Sequence, residues 1–343
     1  MKTLRAALLG FSMLGALASP AFAQSASRAD YRFVDDLKLG GVGFGDYLTV
    51  DSASHRLYVS HFDQVTVVDT ASGAVAGSIG PFKEAHGVAI VSRLGKGYAS
   101  DGEDGVLKVF TLSDLKVVKE IKIDDDVDGI TFDPSTETVL AVAGDPKTLS
   151  LVAVANDTVR KVALPGKPEF LAANGRGKVF INLADIGAIT KIDIASGAIE
   201  ATWPLENCKN PHGLAYDSGR DRLFASCSNG WMVAVDPSTG HNLANLPIGQ
   251  GSDAVVVDIK RGLVFSSNAD GTLSVVREGS GDSFSLARTF PTFFGGRNMA
   301  IDGQTGDLYV AHGNTVLVGG HADLKALRFG WDGLNVAKFV VEP

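Results

Sequence analysis

Seven ionisable side chains recur along this chain at nearly equal intervals. Each begins a similar short apolar run, and successive intervals are 40, 42, 41, 43, 41 and 44 residues. In chain order these residues are Asp46, His86, Asp128, Glu169, His212, Asp253 and Arg297. A repeat of this length gathers equivalent positions in space. We therefore expect these seven residues to form one charged ring.

The charged ring combines side chains that bind divalent cations. Imidazole nitrogens and carboxylate oxygens suit Zn²⁺, Mn²⁺ or Fe²⁺, and carboxylates also suit Ca²⁺. With neutral histidines the ring carries a charge of about −3, which a cation would relieve. The predicted metal ligands are Asp46, His86, Asp128, Glu169, His212 and Asp253. The alternative is structural, because such residues at strand starts often bond the backbone amide of a neighbouring loop.

Arg297 is the ring member that would repel a cation. Its guanidinium fork suits a carboxylate or phosphate on a ligand, or else it pairs with a ring neighbour, Asp46 or Asp253. In a catalytic site, His86 or His212 would move the proton and Arg297 would hold a substrate carboxylate. Further substrate contacts are predicted on the same face of the molecule, at His61, His312, Trp231 and Phe294.

Each repeat unit contains four short apolar runs separated by turns. In the unit that begins at His212, one of these turns is Asp-Pro-Ser-Thr-Gly at 236–240. No segment keeps a 3.6-residue apolar period over the length of a helix, whereas short runs between Gly, Asp, Asn and Pro indicate strands. Four antiparallel strands in each unit, seven times over, predict an all-β fold, a seven-bladed β-propeller.

The two ends of the chain complement each other in this arrangement. The last unit has only three predicted strands, the third at 336–341, whereas Tyr31 to Leu39 forms an additional strand before the first unit. We expect this N-terminal strand to complete the last blade, because a closed ring leaves no sheet edge unpaired. Residues 319–333 are expected to be a long connection inside that blade.

The repeats resemble those of a known family. Segment 57–73 contains Leu-Tyr-Val-Ser and then Val-Thr-Val-Val-Asp-Thr-Ala-Ser-Gly, which is similar to the YVTN-type repeats of YncE-like propellers. The turns at 193–197 and 236–240 repeat the same ending. The resemblance covers nearly all of residues 24–343 and implies the fold. It implies no single activity, since such propellers include binding proteins and lactonase-like hydrolases, and no family catalytic motif matches here residue by residue.

The first 23 residues have the pattern of a secretory signal peptide. Lys2 and Arg5 precede an apolar run, and Ala21-Phe22-Ala23 fits a cleavage site before Gln24. We therefore expect residues 24–343 to form a single domain that is periplasmic or secreted. No later stretch approaches the roughly 18 consecutive apolar residues of a membrane span, so none is expected.

The chain has two cysteines, Cys208 and Cys227. In an exported protein an even number of cysteines favours a disulfide. Both positions fall on the face of the fifth blade that carries the charged ring. The alternative is that both are free thiols that bind a metal beside His212.

Charge and composition narrow the function. The net charge is −8 and the chain has no cluster of Lys and Arg, so nucleic-acid binding is not expected. We expect a monomer that binds a small acidic or aromatic ligand at the channel mouth, directly or through a divalent metal. One alternative is a metal-dependent hydrolase, lactonase-like, or a lyase at the same site. A further alternative is a protein-docking scaffold, which needs no charged ring.

Overall fold

The computed structural model describes residues 31–40, 45–317 and 327–341 of the chain. Over these residues the strands form seven four-stranded antiparallel sheets, so the predicted seven-bladed β-propeller is confirmed. Ser92–Leu94 and Ala184–Ile186 are short 3₁₀ helices. No helix in the described part of the chain is long and apolar enough to cross a membrane. The predicted signal peptide, residues 1–23, lies outside the described residues.

The strands follow the predicted repeat, and blades are numbered in chain order. Blades 1 and 2 contain β2 (Gly45–Asp51), β3 (Arg56–His61), β4 (Gln64–Asp69), β5 (Val75–Ile79), then β6 (Ala85–Val91), β7 (Lys96–Asp101), β8 (Val106–Thr111) and β9 (Val117–Lys122). Blades 3 and 4 contain β10 (Val127–Asp133), β11 (Thr138–Ala143), β12 (Thr148–Ala153), β13 (Val159–Ala163), then β14 (Pro168–Ala173), β15 (Lys178–Leu183), β16 (Ala188–Asp193) and β17 (Ile199–Pro204). Blades 5 and 6 contain β18 (Pro211–Asp217), β19 (Arg222–Cys227), β20 (Trp231–Val235), β21 (Asn242–Pro247), then β22 (Ser252–Asp258), β23 (Leu263–Asn268), β24 (Thr272–Glu278) and β25 (Phe284–Pro291). Blade 7 contains β26 (Asn298–Ile301), β27 (Leu308–Leu317), β28 (Leu327–Val341) and β1 (Tyr31–Gly40).

The first strand of each blade lies innermost. These seven strands contact their neighbours around a closed ring, which includes the contact of β2 with β26. In blades 1 to 6 the pairing of first and second strands shifts register close to the start, for example between Gly45 and Leu48. Such β-bulges redirect a side chain away from the regular alternation. Each of these bulges contains a member of the charged ring.

The apolar core lies between the blades. Among the described residues, seven clusters of buried apolar side chains each join two neighbouring blades. For example, Leu57 of blade 1 packs in one cluster with Tyr309 of blade 7. Because every blade buries both faces, its position relative to the next blade is fixed, and so are the strand starts that carry the charged ring.

The N-terminal strand closes the ring, as predicted. β1 pairs antiparallel with β28 and forms the outer strand of blade 7. Leu37 is buried in the cluster between blades 7 and 1, and the Tyr31 hydroxyl donates to Asp258 of blade 6 at 3.2 Å. The strand therefore stabilises both contacts that blade 7 makes with its neighbours.

One prediction for the last blade was wrong over residues 327–333. Residues 319–333 were expected to be a connection, but β27 extends to Leu317 and β28 begins at Leu327. The two strands stay paired beyond a register shift between Gly313 and Thr315, so the antiparallel ladder continues past the end of the ordinary blade. Residues 318–326 lie outside the described residues.

Cys208 and Cys227 form the predicted disulfide. Their Cα atoms are 5.3 Å apart, and the bond connects the loop before β18 with the last residue of β19. Both sulfur atoms are therefore used in the bond. The alternative of a metal held by two thiolates beside His212 does not fit this structure.

The double variant Cys208→Ala, Cys227→Ala is expected to have a free energy of unfolding about 3 kcal/mol below that of the parent protein, because the bond restricts the unfolded chain. The two cysteines are 19 positions apart. Denaturant unfolding of both proteins measures the difference. Thiol titration of the unfolded, unreduced parent should detect no free thiol, and a count of two would contradict the disulfide.

Candidate functional site at the channel mouth

The structure places the predicted charged ring on equivalent positions of the innermost strands. Six of its members are the second residue of their strand, and Arg297 directly precedes β26. The bulges at these positions turn the side chains toward their neighbours in the ring. The members consequently contact one another instead of serving only as caps for backbone amides.

His86 lies between two carboxylates that come from the blades on either side. Its Nδ1 is 2.7 Å from Asp46 Oδ2 and 3.4 Å from Asp128 Oδ1. Its other ring nitrogen, Nε2, is 3.7 Å from Oε2 of Glu84. Among the described residues, Asp46, His86 and Asp128 are the one group whose possible metal-binding atoms all lie within 4.8 Å of one another. We call these three residues the triad.

His212 has an equivalent environment three blades further along. Its Nδ1 is 3.1 Å from Asp253 Oδ1 and 3.5 Å from Glu169 Oε2. Nε of Arg297 is 3.1 Å from Asp253 Oδ2, so the predicted pairing of this arginine with a ring neighbour occurs. The six predicted metal ligands are thus divided into the triad and a second group around His212. That Glu169, His212 and Asp253 bind a metal stays a prediction.

Neighbouring carboxylates raise the pKa of both ring histidines. Burial by itself lowers the pKa of His86, but the hydrogen bond to Asp46 and the charges of Asp128 and Asp46 together raise it to about 9. Burial likewise opposes protonation of His212, and its neighbouring carboxylates, foremost Asp253, raise its pKa. His86 is therefore protonated at neutral pH, and the ring is less negative than a sum with neutral histidines suggests. A cation at the triad would therefore replace the His86 proton.

Asp128 is the member of the triad with the least satisfied carboxylate. Its Oδ1 is buried and makes no hydrogen bond, although it lies 3.4 Å from the imidazole of His86. Burial, followed by the charge of Asp46, raises the pKa of Asp128. Its Oδ2 accepts a long hydrogen bond, 3.5 Å, from the hydroxyl of Tyr47. A buried carboxylate oxygen without a donor is unfavourable, and a cation would satisfy it.

Two aromatic rings meet across the central channel. Tyr47 from blade 1 and Phe170 from blade 4 have ring centroids 4.4 Å apart, and these blades lie on opposite sides of the propeller. Burial, then the charges of the ring carboxylates with Asp128 first, raises the pKa of Tyr47 well above its ordinary value, so its hydroxyl stays neutral. The structure shows this pair as an obstruction of the channel at the level of the charged ring.

The two other histidines predicted to contact substrate are buried. His61, the last residue of β3, has no exposed surface. His312 is 7% exposed, stacks on Phe293 with centroids 3.8 Å apart, and has Nε2 2.8 Å from Asp36 Oδ1 on β1. These contacts connect the loops and the closing strand, and His61 presents no surface to a ligand in this conformation.

The two predicted aromatic contacts lie on separate blades. Trp231 begins β20 opposite Cys227 and packs against the cluster between blades 4 and 5. Phe294 is partly buried in the loop that precedes Arg297. Their role in ligand binding stays a prediction.

Two polar residues that the sequence did not suggest contact the triad. Glu84 faces Nε2 of His86, as described above, and Nδ2 of Asn298 donates to Asp46 Oδ1 at 3.2 Å. The sequence could have indicated Asn298. It directly follows a ring residue, at a position where the other six units have Tyr, Gly, Gly, Phe, Gly and Ala. Glu84 lies two residues before His86, at a position where the other units have Phe, Asp, Lys, Asn, Gly and Gly, so the repeat gave no reason to select it.

Comparison with known proteins supports the fold. No protein-family model matches the chain, and no curated protein sequence matches it. A solved structure titled Kuenenia stuttgartiensis hydrazine synthase is similar, with a TM-score of 0.70 and 15% identity over 78% of this chain and 92% of that chain. The RRP9 WD40 repeats have a TM-score of 0.77 and 12% identity over 91% of this chain and 100% of theirs. U3-55K has a TM-score of 0.73 and 12% identity over 90% of this chain and 98% of its own.

These likenesses show the fold alone, because proteins of such low identity share an architecture without sharing a function. They confirm the β-propeller but give no support specific to the YncE-like family.

Proposed function

We propose that this protein binds a divalent cation at the triad and, beside it, a small acidic ligand. The observation that carries the proposal is the convergence of three donor atoms of Asp46, His86 and Asp128 within 4.8 Å of one another. Two carboxylates and one imidazole supplied by three successive blades form a ligand set of mixed oxygen and nitrogen donors.

The spacing of the donors suits a small divalent ion. Metal bonds of about 2.1 Å at angles of 90° to 110° place neighbouring donors about 3.0 to 3.4 Å apart. The imidazole Nδ1 of His86 lies 2.7 Å from Asp46 and 3.4 Å from Asp128, close to that range. Small side-chain movements therefore suffice to seat an ion.

Two further contacts support a metal at this position. A metal-binding histidine usually directs its other ring nitrogen at a carboxylate or carbonyl, which fixes the ring. Here Nε2 of His86 faces Glu84 at 3.7 Å. The buried Oδ1 of Asp128, which has no hydrogen bond, is the second contact, because an ion would supply the missing partner.

The donor set favours Mn²⁺, Zn²⁺ or Fe²⁺ over Ca²⁺. Calcium takes six to eight oxygen ligands, whereas one of the three donors here is an imidazole nitrogen. Waters or ligand oxygens would complete the coordination of the ion.

Arg297 supports an acidic ligand. It contacts Asp253 through Nε, and its side chain is 44% exposed. A guanidinium that bonds an internal carboxylate through Nε keeps its terminal nitrogens for a second carboxylate. Together with a cation at the triad, it would give a ligand two positive groups to bind.

The test is a calorimetric titration of protein stripped with EDTA. Mn²⁺ and Zn²⁺ are expected to bind with one equivalent per chain, and Ca²⁺ much more weakly. Asp46→Asn and Asp128→Asn keep the side-chain size but remove a charged donor, so each should lower the affinity about 100-fold or more.

Two control variants make the result specific. His241 is an exposed histidine outside the charged ring, so His241→Ala should bind metal like the parent. Glu169→Gln alters the second group and should also leave the affinity nearly unchanged. If none of the ions binds the parent protein, the proposal fails and the docking scaffold becomes the better interpretation.

A metal-assisted hydrolase or lyase would use the same residues. His212 lies outside the triad and is held between Glu169 and Asp253, so it would remain able to transfer a proton when His86 binds the metal. Consumption of a carboxylate or lactone by the metal-loaded protein would separate this alternative from simple binding.

We also propose that the protein is periplasmic or secreted. The disulfide supports this location, because such bonds persist in oxidising compartments. The thiol titration described above therefore bears on the location as well, since two free thiols in the unfolded, unreduced protein would remove this support.

A further inference from the structure

A small notch lies beside the charged ring, between blades 7 and 1. Seven residues line it: Gly45, Gly295, Arg297, Asn298, Ala311, His312 and Gly313. Three of them are glycines, so the backbone and not side chains forms much of its wall. The space inside takes about one water-sized group, which excludes a whole ligand but admits a terminal hydroxyl or amino group.

Asn298 lines the notch and has an unused hydrogen-bond acceptor. The residue is 3% exposed, and its Oδ1 is buried and makes no hydrogen bond. Its orientation is determined by Asp46, because Nδ2 donates to Asp46 Oδ1 at 3.2 Å. The reversed amide would place two acceptor oxygens against each other. The free atom of Asn298 is therefore an acceptor and requires a donor.

Arg297 provides the complementary group at the same place. It precedes Asn298 in the chain, lines the notch, and keeps a partly exposed guanidinium. A ligand bound here thus meets a fixed cation and, next to it, a buried acceptor. A carboxylate group on the ligand would pair with the guanidinium of Arg297, and a hydroxyl group would donate to the acceptor of Asn298.

We propose that the notch is a subsite for a 2-hydroxycarboxylate, with the carboxylate on Arg297 and the hydroxyl donating to Oδ1 of Asn298. The inference rests on the proposed function in one respect, since it names the class of acidic ligand. The two contacts themselves need no metal. Asn298 also donates a hydrogen bond to Asp46 of the triad. A ligand in the notch and a cation at the triad would therefore be connected through this one hydrogen bond.

The test compares sodium glycolate with sodium acetate on the full chain in the presence of EDTA. The two probes differ by one hydroxyl group. Chemical-shift titration is expected to show glycolate binding about fivefold more tightly than acetate, the effect of one added hydrogen bond. Asn298→Leu should reduce this ratio to about one, and Arg297→Gln should weaken the binding of both probes.

A second variant keeps the test independent of the bond between Asn298 and Asp46. A Cβ atom at Gly313 would lie 3.5 Å from the carbonyl oxygen of Gly333, an ordinary contact, so Gly313→Ala should fold and narrow the notch. It should remove the preference for glycolate and retain Mn²⁺ binding. Equal affinities of the parent for both probes would overturn the proposal and leave the notch as the site of a structural water. Failure of metal binding alone would overturn only the proposed function.

Discussion

Deletion of residues 24–40 is expected to destabilise the propeller strongly. The deletion removes β1, which carries the buried side chains of Tyr31 and Leu37, and exposes the outer edge of β28. Burial of two such side chains contributes about 3 to 6 kcal/mol. For a chain of this size we expect the melting temperature to fall by about 5 to 10 °C. Thermal unfolding followed by circular dichroism measures the difference.

Point variants on the same strand provide the matched control. Leu37 is 6% exposed, so Leu37→Ala should cost about 2 to 5 kcal/mol. Val34 is 36% exposed, and Val34→Ala should change stability little. If the truncated protein melts at the temperature of the parent, β1 does not close the ring.

Stability is also expected to fall between about pH 4.5 and pH 8 because of Glu278. This residue ends β24 on the face opposite the charged ring, beside Asp217, which is itself fully buried. Burial, followed by the hydrogen bond and charge of Asp217, raises the pKa of Glu278 to about 8 from an ordinary value of 4.5. The folded protein therefore holds a proton that the unfolded chain releases. Stability is greatest below pH 4.5 for this group and declines until the folded form also ionises.

The variant Glu278→Gln removes that dependence. Glutamine keeps the size and can still donate to Asp217, so at pH 8 the variant should be more stable than the parent by up to about 4 kcal/mol. Urea unfolding at pH 5 and pH 8 measures both proteins, and Glu206→Gln, at an exposed glutamate, is the control. Identical pH dependence in parent and Glu278→Gln would show that the proton is held elsewhere.

The sequence was sufficient to predict the fold and the position of the charged ring. The apolar runs repeat with so little variation that the starts at Asp46 and His86 could be aligned directly, and the bulges occur at those starts. The closing strand was predictable for a related reason, since Tyr31 to Leu39 had no other partner in the repeat. Both inferences depend on the regular repeat of strand starts, which can be recognised in one amino-acid sequence.

The contacts within the ring could not be predicted in the same way. A repeat shows that His86 and His212 are equivalent, but the bulge and the rotamer decide that each contacts the carboxylates on both sides. The expected ring charge of −3 assumed neutral histidines. That assumption failed for His86, because those same contacts raise its pKa to about 9. The meeting of Tyr47 with Phe170 depends on the channel width, which the pattern of a single unit does not specify.

The pairing of β1 with β28 also determines the order in which the molecule can be completed. Tyr31 is paired with Val341, so contacts at the ring closure are among the most distant in the sequence, and such contacts form slowly. During synthesis all the residues of blades 1 to 6 emerge before β28 does. Throughout that time β1 has no partner, and the growing array of blades has an open edge at each end. Final assembly of this propeller is therefore a single late event at one sheet, and the lifetime of the open form determines how long the protein is exposed to aggregation.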